Sequence, residues 1–312
     1  MMSLKSTIFL LSGLLLLFPG KSISASGYNA LINYKNGFLA AGSGGRIDWI
    51  SASGEITKSE KYPNEEFNCL LAYNEHVIVA GNNGLMLISS DKATFRKVDS
   101  GTNMNIHTLV LFKEMILAGA DQGLILIGDK KGLFREKQLA LKGDLVSLSA
   151  TIADCYGVTD QGEIIHSTDG VNWTVFDFNE SYAGYYKSCH FTRVLVTENR
   201  IAVAGKHDDG TPALLFSAQG NVWTERVLNY TDDQGITSSL EEIPYDLFYD
   251  SSEDQFILCC SKGTLMIIPA CSHCNKLFVC STEDIRAISG NGKTVMIVGD
   301  HYYIKAITIG NQ

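Results

Sequence analysis

The feature that most constrains this chain is that it repeats itself. The segment VIVAGNNGLMLI (77–88) has counterparts in FLAAGSGGRIDWI (38–50), MILAGADQGLILI (115–127), CYGVTDQGEIIH (155–166) and IAVAGKHDDGTPALLF (201–216). Two weaker copies follow, FILCCSKGTLMII (256–268) and VMIVGDHYYIKAI (295–307). Each is an apolar run, a short break rich in Gly or Asp, and a second apolar run, which is the pattern of a β-hairpin. The copies start at 38, 77, 115, 155, 201, 256 and 295, so the steps are 39, 38, 40, 46, 55 and 39 residues. The two long steps coincide with polar insertions, NESYAGYYK (179–187) and NYTDDQGITSSLEE (229–242).

Each hairpin has flanking segments. A short apolar run precedes it, as in ALINY (30–34), CLLAY (69–73), TLVLF (108–112) and DLFYD (246–250). A fourth segment follows it, as in FRKVD (95–99), FREKQL (134–139) and WTERVL (223–228). Four strands in about 40 residues is the period of a propeller blade. No stretch shows sustained helical periodicity. The expected fold is all-β: a seven-bladed β-propeller with about four antiparallel strands per blade. It forms one domain over 27–312, with repeats beginning near 28, 67, 105, 144, 187, 243 and 284. A solenoid repeat is usually shorter, and a sandwich has no reason to repeat. The seventh repeat stops after its third strand, at Gly310-Asn311-Gln312. The last blade is therefore expected to be incomplete, or to be closed by an N-terminal segment around KSISASGY (21–28), since an open blade exposes a sheet edge.

The N-terminus reads as a secretory signal peptide over 1–26. Lys5 precedes the apolar stretch IFLLSGLLLLF (8–18), Pro19-Gly20 breaks it, and small residues follow. Cleavage after Ser24 or Ser26 satisfies the small-residue rule, although cleavage at Ser26 conflicts with a closing role for 21–28. The apolar run is short for a membrane span, so no stable membrane insertion is expected once it is removed, and an uncleaved anchor is the alternative. The expected location is secreted or periplasmic. Without Lys5 and Lys21, 23 basic residues face 34 acidic ones, about −11 in net charge. Nucleic acid and anionic membranes reward a basic face, so neither is an expected partner. A monomer is expected.

In the fourth repeat, IIHSTDGVNWTV (164–175) sets Ser, Asp and His side by side in what looks like a catalytic triplet. Placed in its repeat, it is a turn between strands three and four. Asp169 is suited to accept backbone N–H groups, Gly170 permits positive φ, and Trp173 brings a large apolar area to the blade. The segment resembles the Asp-box, or bacterial neuraminidase repeat, of sialidase-like propellers. It also resembles propellers related to the photosystem II assembly and stability factor, whose blades carry G-x-I-x-x-S/T-x-D-G-x-x-W. Gly162, Ile164, Ser167, Asp169, Gly170 and Trp173 match, in a turn one residue shorter than the common Asp-box form. Degenerate echoes occur at SSDKATF (89–95) and SAQGNVW (217–223). The resemblance implies that the box is a structural turn away from any active site, which removes Ser167, Asp169 and His166 as catalytic candidates.

The same resemblance implies, for a sialidase, an arginine triad, a Tyr–Glu nucleophile pair and an Asp acid/base. Of Arg46, Arg96, Arg135, Arg193, Arg200, Arg226 and Arg286, none lies in the Arg-Ile-Pro context of such enzymes, and Arg46-Ile47-Asp48 lacks the proline. The acid pairs Asp208-Asp209, Asp232-Asp233 and Glu241-Glu242 lie in polar loops, and adjacency does not set two carboxylates across a sugar. No Gly-x-Ser-x-Gly, His-Glu-x-x-His or phosphate-cradling loop appears. No catalytic residue and no cofactor are therefore assigned.

Five of the eight cysteines fall in the sixth repeat: Cys259, Cys260, Cys271, Cys274 and Cys280. One reading is a staple, Cys271–Cys274 with Cys280 joined to Cys259 or Cys260. The other is a metal site on Cys271, Cys274, Cys280 and His273, for which a single CxxC is thin support. Adjacent Cys259 and Cys260 must point to opposite sheet faces. Cys69, Cys155 and Cys189 read as core residues. The leading functional reading is a non-enzymatic binding or scaffold module for an unknown protein or glycan. Tyr182, Tyr185, Tyr186 and Tyr230 in the two insertions are the candidate contacts, against the alternative that they pack on the blades. A sialidase-like hydrolase or lyase and an assembly factor for a membrane complex are the rivals. The sequons at Asn172, Asn179 and Asn229 matter only in a eukaryotic secretory pathway.

Overall fold

The second strands of the blades, such as Gly37–Gly42, His76–Gly81 and Met115–Ala120, are buried on both sides. That burial explains their continuous apolar runs, because a strand covered on both faces has no polar face to alternate with. The computed structural model describes residues 26–89, 94–129, 132–270, 275–292 and 294–308. They form seven antiparallel sheets in consecutive strand order, plus a two-stranded hairpin. The first strands are Tyr28–Tyr34, Phe67–Tyr73, Ile106–Phe112, Leu145–Ala150, Cys189–Val196, Pro244–Asp250 and Ile285–Gly290. These lie side by side around a central axis, and that of blade 7 adjoins that of blade 1. The arrangement is a closed seven-bladed β-propeller, as the repeats led us to expect.

Apolar packing is organised by seam. Seven clusters each join two neighbouring blades, such as Leu39, Ile47, Phe67 and Val79 between blades 1 and 2, or Phe38, Ala40, Met296 and Val298 between blades 1 and 7. Fourth strands such as Ile56–Lys61 and Phe134–Gln138 are largely exposed and charged.

Polar links repeat from seam to seam. The turn after the second strand holds a residue in the left-handed region: Gly44 (φ 63°), Asn83 (55°), Gln122 (56°) and Lys262 (52°). This conformation aims the residue's N–H at the next blade. Gly44 donates to Glu66 (3.0 Å), Asn83 to Asn105 (3.0 Å), Gln122 to Asp144 (2.8 Å) and Lys262 to Asp284 (2.9 Å). Each acceptor immediately precedes the next first strand.

The register of every first strand also slips at one residue: Asn29, Asn68, His107, Val146, Thr192, Tyr245 and Arg286. Such a bulge re-aims a side chain. Asn29, Asn68 and Thr192 use it to donate to the first-strand carbonyls of Phe67 (2.9 Å), Ile106 (3.0 Å) and Pro244 (2.9 Å).

Blade 7 shows three strands among the described residues, Ile285–Gly290, Thr294–Gly299 and Ile304–Thr308. Residues 21–25 of the expected closing segment lie outside the described residues. Its last residues meet blade 7 at the turn after the second strand and not at the outer edge. Gly27 bridges Asp300, and His301 N–H donates to Ser26 O at 2.7 Å. No described helix is long and apolar enough to cross a membrane.

Candidate functional site

The Ser167–Trp173 turn is satisfied from within. Ser167 Oγ accepts Gly170 N–H at 2.8 Å, and Asp169 Oδ1 accepts Val171 and Asn172 N–H at 2.8 and 2.7 Å. Those N–H groups hold the Asp169 carboxyl well below the usual range. Gly170 has φ 75°, and Trp173 packs on the seam between blades 3 and 4. Blade 5 repeats the device. Gly220 N–H donates to Ser217 Oγ (2.8 Å), and buried Trp223 donates its ring N–H to Gly220 O (3.1 Å). His166 lies outside the turn's network and pairs with Asp154 at 2.7 Å.

The six described cysteines are free, and no disulfide forms among the described residues. Cys271 and Cys274 lie outside those residues, as does His273, so neither the CxxC bridge nor the metal set is placed. Cys259 packs on the seam of blades 6 and 7, and Cys260 on that of blades 5 and 6, the opposite faces expected of neighbours in a strand. Cys280 packs against the same seam as Cys259. Of the loop tyrosines, Tyr182 and Tyr186 pack with Phe178, and Tyr182 Oη accepts Trp223 N–H at 2.9 Å. Tyr230 is half-buried on the seam of blades 5 and 6. Tyr185 stands out at 86% exposure.

Blade 5 carries a concavity on the bulged face. Its first two strands run on by two residues, pairing Cys189 with His207 and His190 with Lys206. Beside this extension lies a cleft of about 360 Å³ lined by Asp160, His190, Thr192, Lys206, Asp208 and Gly210, among others. His190 spans it, 2.8 Å from Asp160 O and 2.8 Å from Asp208 Oδ1. Behind it, Cys189 Sγ is 3.4 Å from His207 Nδ1, and His207 Nε2 is 2.7 Å from Glu225. This order of groups is that of an activated nucleophile. The thiol, however, is fully buried, and burial pushes it up to about 12, which keeps it protonated at neutral pH.

His107, Asp121 and Asp144 bring three ligand-type atoms within 4.8 Å. Both carboxylates already accept backbone N–H groups, from Asn105 (2.9 Å) and Gln122 (2.8 Å), so the seam accounts for them.

Thr192, the bulge of blade 5, is both a lining residue of the cleft and part of the first strand. One residue deeper, the seven blades contribute Ala30, Cys69, Thr108, Ser147, Arg193, Asp246 and Ala287. Five of these are small, and the other two form an ion pair. Arg193 Nε lies 2.8 Å from Asp246 Oδ1. Asp246 is buried and also accepts Leu247 N–H (2.8 Å) and Ile288 N–H (3.0 Å). Burial pushes its carboxyl up, against the pull of Arg193 and the two N–H groups.

Sequence reasoning counted Arg193 among seven arginines and gave Asp246 no role. The available signal was the position after the bulge, where a charged couple interrupts small residues.

No family model and no curated protein matches the chain. Among solved structures it is similar to a computationally designed protein, Ika8, at 13% identity and TM-score 0.62, covering 91% of this chain and 97% of that one. It is also similar to YCF48 bound to D1 peptide, at 12% identity and TM-score 0.68, covering 92% of this chain and 93% of that one. Likeness at this level of identity shows a shared fold, and the fold is the seven-bladed propeller.

Proposed function

We propose that this protein is an exported, non-enzymatic propeller that binds a polypeptide on its bulged face. The observation that carries the reading is the cleft of blade 5, whose lining includes Thr192 of the first strand. It offers what an extended backbone needs: acceptors in Asp160 and Asp208, which His190 orients, and a donor in Lys206. Loops on a rigid ring are where binding sites collect. A fold neighbour that carries a peptide is consistent with this role. The signal-like N-terminus supports export. The test is affinity capture of a partner from the native envelope by residues 27–312, repeated with Lys206→Ala and His190→Ala. A stoichiometric protein lost with these variants supports the reading. Capture that ignores both variants, or turnover of a glycan library by the purified protein, overturns it.

A further inference from the structure

We propose that the central channel is a carboxylate receptor, with the Arg193 guanidinium as its anchor and a polypeptide carboxylate as its ligand. This rests on the binding reading above and deepens it.

Three observations converge on Arg193. First, its position: it follows the bulge of blade 5, in a layer that five other blades fill with Ala30, Cys69, Thr108, Ser147 and Ala287. Those five are buried at the seams, where Thr108 and Ser147 accept the next blade's Leu148 and Val194 N–H (2.9 and 3.1 Å), whereas Arg193 stays partly exposed. Arg193 stands on the first strand of blade 5, the strand nearest the central axis. A side chain on that strand that keeps 39% of its surface exposed opens towards the axis. Second, its bonding: Nε lies 2.8 Å from Asp246 Oδ1 in an ion pair without hydrogen-bond geometry, and neither Nη bonds a described residue. The side chain is 39% exposed, so its outer edge is wet. A guanidinium fixed at one edge and open at the other is prepared for bidentate recognition. Third, the contrast with a neighbour: Arg286, at the bulge of blade 7, is spent. It bonds Asp300 through Nε and Nη2 (3.0 and 3.1 Å), meets Asp284 at 3.1 Å, and stacks on Tyr245 at 4.1 Å.

The surrounding charges choose the class of anion. Glu66, Asp121, Asp144 and Asp284 lie around the channel mouth, and Asp246 already offsets part of the Arg193 charge. A dianion such as phosphate meets repulsion there that a single carboxylate largely avoids. A carboxylate also replaces the water on the open Nη edge with two charge-assisted hydrogen bonds.

The experiment is a titration of uniformly ¹⁵N-labelled full-length protein with sodium acetate, reading the Arg193 side-chain NH resonances. The expected result is a saturable shift that acetamide does not reproduce and that phosphate produces only more weakly. Arg193→Lys, which keeps the charge and loses the fork, is expected to bind acetate about tenfold more weakly. The double variant Arg193→Gln/Asp246→Asn avoids stranding a buried carboxylate, and is expected to abolish binding in a folded protein. Peptide arms identify the source. Ala-Ala-Ala-Ala-Ala with a free C-terminus reports a terminal carboxylate, its C-terminal amide is the blank, and amidated Ala-Ala-Glu-Ala-Ala reports a side-chain carboxylate. Competition with acetate by either acid peptide, absent for the blank, supports the proposal. An unresponsive Arg193, equal effects of acid and blank, or tighter binding of N-acetylneuraminic acid than of both acid peptides overturns it. Lys206→Ala in the capture experiment tests the cleft and the acetate response tests Arg193, with Ser167→Ala in the remote turn as the unchanged control, so the two readings fail separately.

Discussion

Two of the ring's buried aspartates that lie against an arginine Nε, Asp48 and Asp246, differ in what covers the rest of the guanidinium. Near the seam of blades 7 and 1, Asp48 is fully buried and accepts from Arg46 Nε at 2.6 Å, with Tyr28 and Ser59 hydroxyls also donating to it. The flat faces of Arg46 are covered by Tyr302 of blade 7, at 4.6 Å, and by Tyr28, at 5.9 Å. At the seam of blades 5 and 6, Asp246 is as well supplied, but no described ring covers Arg193, and its Nη edge faces the channel. The first pair is finished by the protein. The second is finished only by something else. Whether a buried ion pair is structural or available to a ligand is thus decided at the far edge of the arginine, not at the pair itself.

The contrast can be broken at either end. Asp246→Ala should have the largest effect, because it strands a charge and two backbone N–H groups. A loss of about 3–5 kcal/mol is expected, read from urea unfolding. If it costs no more than an exposed pair, the Arg193–Asp246 link does not hold the seam. Tyr28→Phe removes one of three donors to Asp48 and leaves the arginine in place, so about 1–2 kcal/mol is expected by the same measurement. A larger loss there than at Asp246 would reverse the ranking of the two seams.

The Ser167 turn, remote from both pairs, supplies the control. Ser167→Ala strands Gly170 N–H, at a cost of about 1 kcal/mol, without altering the acetate response. The smallest effect is in pH dependence, and its sign separates the carboxylates. Asp169 has a depressed folded pKa, so its contribution is present above the unfolded value of about 3.9 and is lost as pH falls through the folded one. Asp246 has a raised folded pKa, so its contribution is present below the unfolded value and is lost as pH rises through the folded one. Urea midpoints between pH 2.5 and 7 should show the wild type gaining on Asp169→Asn as pH rises, and Asp246→Asn gaining on the wild type. Parallel curves would remove the distinction.

The blades were legible because everything that makes one is local. A hairpin such as His76–Ser89 closes within a few residues, and its double burial writes a continuous apolar run. The Asp169 turn was legible for the same reason, since its acceptors and donors lie within a few residues of one another. The channel was not. Arg193 and Asp246 lie in different blades, and the bulge at Thr192 shifts the phase by one residue, so alternation counted along the strand misplaces Arg193. The loop tyrosines were half legible. Tyr185 is exposed as a contact residue would be, whereas Tyr182 and Tyr186 are consumed by Phe178. The insertion's need for its own small core is invisible in composition.

The Tyr302 hydroxyl donates to Ser43 O at 2.9 Å, joining residues 259 apart, whereas the other seams are made between neighbouring repeats. The chain can therefore assemble as a row, blade upon blade, at low entropic cost, and the last event is the meeting of its two ends. That makes the Tyr302–Arg46 contact a latch on lifetime more than on assembly rate. Interactions absent from the folding transition state slow unfolding when strengthened. The ring would gain most of its endurance at this one join.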